Sequence, residues 1–364
     1  MASPIRVLIV DDSTYVRMVV SRMLSHAHDI EVVGQAVDGQ DALRLALELK
    51  PDVMTLDVEM PKLDGLEVLR RLLPRQRIPV VMLSTLTQER AEVTLQALQL
   101  GAVDFVGKPG SANVPDLAAV QQQLLVKVRA AATARVLSPL PTPRPVERTP
   151  RGRSGRINSH PTLLLAASTG GPGTLASLLA ALPGDLPASL AVTQHMPASF
   201  TRSFAARLDA ESEFHVREAA EGDMLAVGTA LVAPGDWHMI IGPQGIIHLS
   251  SAPPMWGVRP AADPMMKSAA ENLRSPLIAV VLTGMGCDGA DGLYRIKQAG
   301  GMAIAQDEAT SVIYGMPKAA AETGACDYIA SLNELPNLLV EQTYRLATME
   351  KSDAAVAVAN RSAS

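Results

Sequence analysis

Short apolar runs alternate with helix-patterned stretches along most of this chain, and that alternation admits few folds. In the first 110 residues the runs fall at 5–10, 30–36, 53–56, 80–83 and 103–106. Helical periodicity fills the gaps, notably at 13–25, 40–49, 65–73 and 88–100, with Ser13 placed to cap the first helix. Five strands alternating with helices predict a doubly wound parallel sheet, closed by a last helix over 116–135. A second series of runs at 162–167, 190–194, 230–233, 277–282 and 302–305 predicts another α/β domain with a doubly wound parallel sheet. Between the two series the composition changes. Pro139, Pro141, Pro143, Pro145 and Pro150 are interleaved with Arg, Ser and Thr, which reads as an extended linker. The expected organisation is a first domain at 1–135, a Pro/Arg-rich linker at 136–160, a second domain at 161–348 and a flexible tail at 349–364.

With 364 residues, nearly half of them apolar, the chain can bury a core in each half, but only 3% are aromatic. The cores must therefore be built from Val, Leu, Ile, Ala and Met. The formal net charge of -5 argues against nucleic acid as a partner. Cys287 and Cys326 are too far apart to form a metal-binding spacing or a disulfide framework, and they fit a reducing compartment. No signal-peptide pattern and no run near the roughly 20 apolar residues of a membrane helix is visible, so a cytoplasmic protein without membrane insertion is expected.

In the first half, Asp11 and Asp12 follow the first strand, Asp57 the third, Ser84 the fourth and Lys108 the fifth. All lie at carboxyl ends of parallel strands, where such sheets bind ligands. Crowded carboxylates repel unless a hard cation joins them, and Mg²⁺ suits oxygen donors shared with phosphate. A carboxylate there can attack a phosphoryl group, with Lys108 and Ser84 serving its oxygens. Each Asp alone could equally be a helix cap. This half resembles the response-regulator receiver family over essentially its full length, which implies a flavodoxin-like fold. The resemblance implies Asp57 as phospho-acceptor. It places Mg²⁺ on Asp12, Asp57 and the Glu59 carbonyl, with Asp11 binding through water. Ser84, Phe105 and Lys108 then match the switch residues, and the Lys108–Pro109 bond is expected to be cis.

In the second half, an apolar strand runs into Ser168-Thr169-Gly170-Gly171-Pro172-Gly173 just before a helix. Such a turn exposes a hydroxyl beside free helix N–H groups. It reads as a nucleophile or as a phosphate-binding loop; the missing Lys disfavours a Walker-type loop, and a Gly-x-Ser-x-Gly elbow is absent. His195, in Gln194-His195-Met196-Pro197, ends the next strand and could be structural. Asp288 follows the strand at 277–282 and could be a helix cap, with Asp291 a weaker alternative. Taken together, hydroxyl, imidazole and carboxyl each stand at a strand's carboxyl end, as nucleophile, base and orienter require. Cys287 is a poor rival nucleophile because an acid neighbours it, and His238 reads as structural or wall-forming.

These motifs, with Ala233-Pro234-Gly235-Asp236 and Thr283-Gly284-Met285-Gly286, resemble the catalytic domain of the chemotaxis protein-glutamate methylesterase family. The resemblance implies a Rossmann-like hydrolytic domain with Ser168 as nucleophile, His195 as base and Asp288 as orienting acid. Thr169 and Met285 would offer backbone N–H groups to the oxyanion, and no cofactor is implied for the ester chemistry. Cys287 stands where the family pattern suggests Asn. The implied substrates are glutamate γ-methyl esters, and selected glutamines, of methyl-accepting chemotaxis receptors. The implied phosphoryl donor is a chemotaxis histidine kinase, and a monomer is expected. Control is expected through a receiver that covers the hydrolase face until Asp57 is phosphorylated. Two other readings stay open: a receiver-controlled transcription factor, disfavoured by the acidic second half, and a scaffold with a vestigial triad.

Overall fold

The structure, a computed structural model, describes residues 3–85, 87–109, 116–136 and 160–361, with the side chains of 88–89 and 349–361 outside that description. The chain divides into two compact units, Met1–Pro141 and Thr142–Ser364. Apart from Val136 and His160, the expected linker lies outside the described residues.

The first unit runs β1 (Ile5–Val10), α1 (Thr14–Ser25), β2 (Ile30–Ala36), α2 (Gly39–Leu49), β3 (Val53–Asp57), α3 (Gly65–Leu72), β4 (Val80–Ser84), α4 (Gln88–Gln99), β5 (Asp104–Gly107) and α5 (Leu117–Ala132). Its sheet has the order β2-β1-β3-β4-β5, and every pairing is parallel. Strands covered by helices on both faces need continuous apolar runs, and β3 and β4 are buried throughout. Side chains cap the helix starts: the Ser13 hydroxyl accepts from the Val16 N–H, and Asp38, Asp64 and Asp116 do the same for α2, α3 and α5. Strand order reverses between β1 and β3, which opens a crevice at their carboxyl ends.

The second unit runs β6 (Thr162–Ala167), α6 (Gly171–Ala181), β7 (Ser189–Gln194), α7 (Ala198–Glu211), β8 (His215–Glu218), β9 (Thr229–Val232), β10 (His238–Ile241), β11 (Ile247–Ser250), α8 (Ala262–Asn272), β12 (Leu277–Val281), α9 (Ala290–Gln298), β13 (Met302–Gln306), α10 (Met316–Glu322), β14 (Tyr328–Ala330) and α11 (Leu335–Arg361). Seven strands pair in parallel in the order β14-β13-β12-β6-β7-β9-β8. The topological switch lies at β6, flanked by β7 and β12. Phe200 and Phe204 on α7 pack fully buried, as does Phe214 beside β8, whereas both tryptophans are exposed.

Sequence periodicity misses β8, β14 and the antiparallel hairpin β10–β11. These strands are three or four residues long. In β8 only Val216 is buried, so two-residue alternation has almost no length over which to show. The backbone of α11 stays helical to Arg361, across the expected start of the tail at 349. No helix among the described residues is long and apolar enough to cross a membrane.

Candidate functional site

In the first unit, ligand oxygens of Asp11, Asp12 and Asp57 lie within 4.8 Å of one another at the β1/β3 crevice. Asp11 and Asp57 are buried, while Asp12 is exposed. Lys108, carried out of β5, reaches into the cluster, with its Nζ 2.7 Å from Asp57 Oδ2 and 3.0 Å from Asp11 Oδ2. That second contact lies off the line of a hydrogen bond, and Asp11 Oδ2 is left without a hydrogen-bond partner. Burial pushes the Asp57 carboxyl up to about 6, opposed by the Lys108 bond and reinforced by the charge of Asp11. Burial likewise raises Asp11. The Glu59 side chain turns outward to Arg90 at 2.9 Å.

The remaining receiver residues are engaged with helices. The Ser84 hydroxyl is 2.6 Å from the Thr94 hydroxyl, which donates to the Arg90 carbonyl one turn earlier on α4. Phe105 is buried with the Lys127 ammonium 4.9 Å above its ring. Lys127 also donates to the Phe105 carbonyl and to Asp104, each at 2.7 Å. Neither Thr94 nor Lys127 stands out in sequence, because each sits in an ordinary amphipathic helix. The Lys108–Pro109 bond departs from the expected geometry: the cis bond among the described residues is Arg259–Pro260.

In the second unit, Ser168, His195 and Asp288 emerge from β6, β7 and the loop after β12, three neighbouring strands. The β6–β7 register pairs Ala167 with Gln194, so Ser168 and His195 leave their strands at one level. Two bonds hold that level: the His195 N–H donates to the Ala167 carbonyl at 3.1 Å, and Gln194 Nε2 donates to the Ser168 carbonyl at 2.9 Å. His195 Nε2 is 2.7 Å from Asp288 Oδ2. Among the described residues the Ser168 hydroxyl itself makes no hydrogen bond; contacts of this kind commonly tighten only when substrate is bound.

Asp288 is 1% exposed. Its Oδ2 also accepts from the Ala262 N–H at 2.6 Å, and its Oδ1 accepts from the Asp263 N–H at 3.0 Å. Burial alone would raise its pKa. The His195 bond and charge, with the two α8 amides, outweigh burial and hold it below the usual carboxylate value. Asp288 thus caps α8 from a distance in sequence, as well as preceding α9. Asp291, the alternative acid, sits on α9 and pairs with Lys267 at 2.5 Å. Burial and the charges of Asp263 and Asp288 push the Cys287 thiol up, away from a reactive thiolate.

Close approach explains two glycines. Gly170 starts α6 at φ +76, a left-handed conformation, with Val312 directly against it. A Cβ on Gly284 would meet Ser168 Cβ at 2.8 Å, so only Gly lets the β12 loop touch the serine. Next to it stand Met285, exposed, and Thr169, buried. His238 is buried and structural: the Ala261 N–H donates to its Nδ1 at 3.1 Å, leaving Nε2–H to donate to the Pro253 carbonyl at 3.1 Å.

The family models match in the same order as the two units. A response regulator receiver domain matches residues 7–118, and a CheB methylesterase matches 163–339. A protein-glutamate methylesterase/protein-glutamine glutaminase of Pyrococcus abyssi is 44% identical over 349 residues, covering 92% of this chain and 93% of that protein. The chain belongs to the CheB methylesterase family. A relative with the same description from Symbiobacterium thermophilum is also 44% identical, over 92% of this chain and 96% of its own. The crystal structure of the Thermotoga maritima CheB methylesterase catalytic domain aligns with 40% identity and a TM-score of 0.49, covering 51% of this chain and 99% of that one.

Proposed function

We propose that the chain is a cytoplasmic, phosphorylation-controlled hydrolase that cleaves glutamate γ-methyl esters of methyl-accepting chemotaxis receptors and deamidates selected receptor glutamines. The His195–Asp288 bond at 2.7 Å, beside a serine on the adjoining strand, is the observation that carries the reading. With Nε2 given to Asp288, Nδ1 is the ring nitrogen left to accept the Ser168 proton. Ser168 Oγ attacks the ester carbonyl carbon, and the proton passes to His195. The backbone N–H groups of Thr169 and Met285 face the developing oxyanion. The C–O bond to the methoxy group breaks, and methanol leaves with the proton from His195. Water, deprotonated by His195, then attacks the acyl-enzyme and frees Ser168 and the glutamate carboxylate. An amide substrate follows the same path with ammonia as the leaving group.

In the receiver, Asp57 is the carboxylate that takes the phosphoryl group from a chemotaxis histidine kinase. The crowded carboxylates and their all-oxygen donor set suit Mg²⁺, which Asp12, Asp57 and the Glu59 carbonyl would hold, with Asp11 contributing through water. When bound, the ion neutralises charge on the phosphoryl oxygens. Lys108 holds Asp57 in place and stands ready to bind the phosphoryl group, and Ser84 and Phe105 change partners when it arrives.

Two measurements test the control and the metal site. Adding a small-molecule phosphoryl donor to the full-length protein should raise methanol release from methylated receptor membranes by about tenfold or more, and Asp57→Asn should remove that response. An equal response in the variant would remove Asp57 as the acceptor. The second measurement follows stability against pH. A carboxyl raised from 3.8 to about 6 is favoured protonated in the fold, so its cost is absent below about 4, grows as pH rises and is complete above about 6. In chelator, Asp57→Asn should therefore gain stability over the wild type across that interval, by at most on the order of 3 kcal/mol, a figure already net of the Lys108 bond. Mg²⁺ should close the gap. A gap independent of pH would show that Asp57 titrates normally.

A further inference from the structure

Asp263 is a buried carboxylate outside the triad that accepts three hydrogen bonds, and the chemistry above does not use it. It lies in the first turn of α8 and is 1% exposed. Its Oδ1 accepts the Gly289 and Gly292 amides at 3.0 and 2.7 Å, so it caps α9. Asp288, which precedes α9, caps α8 in return. Two helix N-termini thereby satisfy each other through exchanged carboxylates, and one of these carboxylates is the partner of His195.

The remaining oxygen of Asp263 is bound from outside. Trp256 donates its indole Nε1–H to Asp263 Oδ2 at 3.0 Å. Trp256 nevertheless leaves 62% of its surface exposed. It sits with Gly257 at the tip of a two-residue turn, where Met255 and Val258 exchange both backbone hydrogen bonds. Both tip residues have positive φ, 56 and 78. That turn favours Asn or Gly at each tip position, and a bulky aromatic there is strained. The indole N–H satisfies a buried carboxylate oxygen, but the exposed ring face adds nothing to the fold, and a smaller residue would make the turn at lower cost. Trp237, the only other tryptophan, is also exposed, and its loop is tied to the same segment by the Asp236 N–H to Arg259 carbonyl bond at 3.2 Å. On its other side that loop abuts Pro197 and Ala198, just beyond His195.

Strain, exposure and a direct tie to the buried acid pair share one cause. We infer that Trp256 is a specificity-determining residue: its exposed indole face packs on the protein substrate, and its N–H anchors that contact, through Asp263, to the loop that carries Asp288. Asp263 is the positioning residue between them. An apolar ring face suits apolar residues of the substrate protein that flank its esterified glutamate, a group too small to give much binding energy by itself. The inference rests on the esterase reading and names the surface by which that site takes its substrate.

Steady-state methanol release from methylated receptor membranes tests it with the full-length protein. Trp256→Gly fits the positive-φ turn and should raise KM about tenfold while kcat changes by less than about twofold. Trp256→Phe keeps a ring and loses only the N–H, and its KM should rise by less than about threefold. In the Trp237→Phe, Ser168→Ala protein, where Trp256 is the only indole and turnover is blocked, a methylated receptor fragment should shield its fluorescence from acrylamide. An unchanged KM in Trp256→Gly, a fall in kcat at constant KM, or fluorescence quenched equally with and without the fragment would each overturn the inference. Absence of methanol release by the wild-type protein would instead overturn the esterase reading, and the shielding experiment would still report on Trp256.

Discussion

Ser168→Ala should lower methanol release from methylated receptors by roughly a hundred-thousandfold or more while leaving the fold intact. The hydroxyl makes no hydrogen bond among the described residues, so its removal deletes no structural contact. The residue's backbone bonds, N–H to the Thr283 carbonyl and carbonyl to Gly171 and Gln194, are all kept by Ala. What disappears is the nucleophile, and removal of one member of a relay that acts as a unit costs about as much as removal of all of it. Mass spectrometry of a methylated receptor incubated with wild-type or variant protein, with and without a phosphoryl donor, reads the effect site by site. Loss of the 14-Da difference between ester and acid at unchanged rate in the variant would exclude Ser168 and leave a scaffold or a different nucleophile.

Asp288→Asn should cost about ten-thousandfold in kcat, with a measurable loss of stability as well. Three donors converge on this side chain: His195 Nε2 and the Ala262 N–H on one oxygen, and the Asp263 N–H on the other. An amide offers one acceptor end. If its oxygen faces His195, its NH₂ confronts the Asp263 amide; if it flips, it donates to His195 and fixes the wrong tautomer. Either way the imidazolium loses its counter-charge. The pH profile separates the two losses: the remaining activity should shift in its pH dependence, whereas thermal unfolding should move by no more than the ~1–3 kcal/mol of an unsatisfied buried donor. An equal fall in Asp291→Asn with none in Asp288→Asn would reverse the assignment.

Much of this site is visible in the residues alone because parallel α/β sheets place their chemistry at predictable points. A polar residue directly after an apolar run must stand at a strand's carboxyl end, and this rule picks out Asp11, Asp57, Ser84, Lys108, Ser168 and His195. Helix caps are equally local: Ser13 is identifiable from its own neighbours. Less was legible where an element is short or its partner is distant. The edge strands β8 and β14 are too brief to show a period. Trp256, Asp263 and Asp288 lie on three separate segments, and nothing in the spacing says that Asp263 caps α9 while Asp288 caps α8.

Local pattern therefore determined all but four of the strands among the described residues, most helices, the division into two units and which residues could react. The order of strands across each sheet was decided only in three dimensions, where β12, far along the chain, lies beside β6 and brings Asp288 to His195. Hydrophobic periodicity is a property of one segment and its nearest turn. Pairing of distant segments depends on which combination buries the most apolar surface while satisfying every buried donor and acceptor, and that balance exists only in the assembled structure.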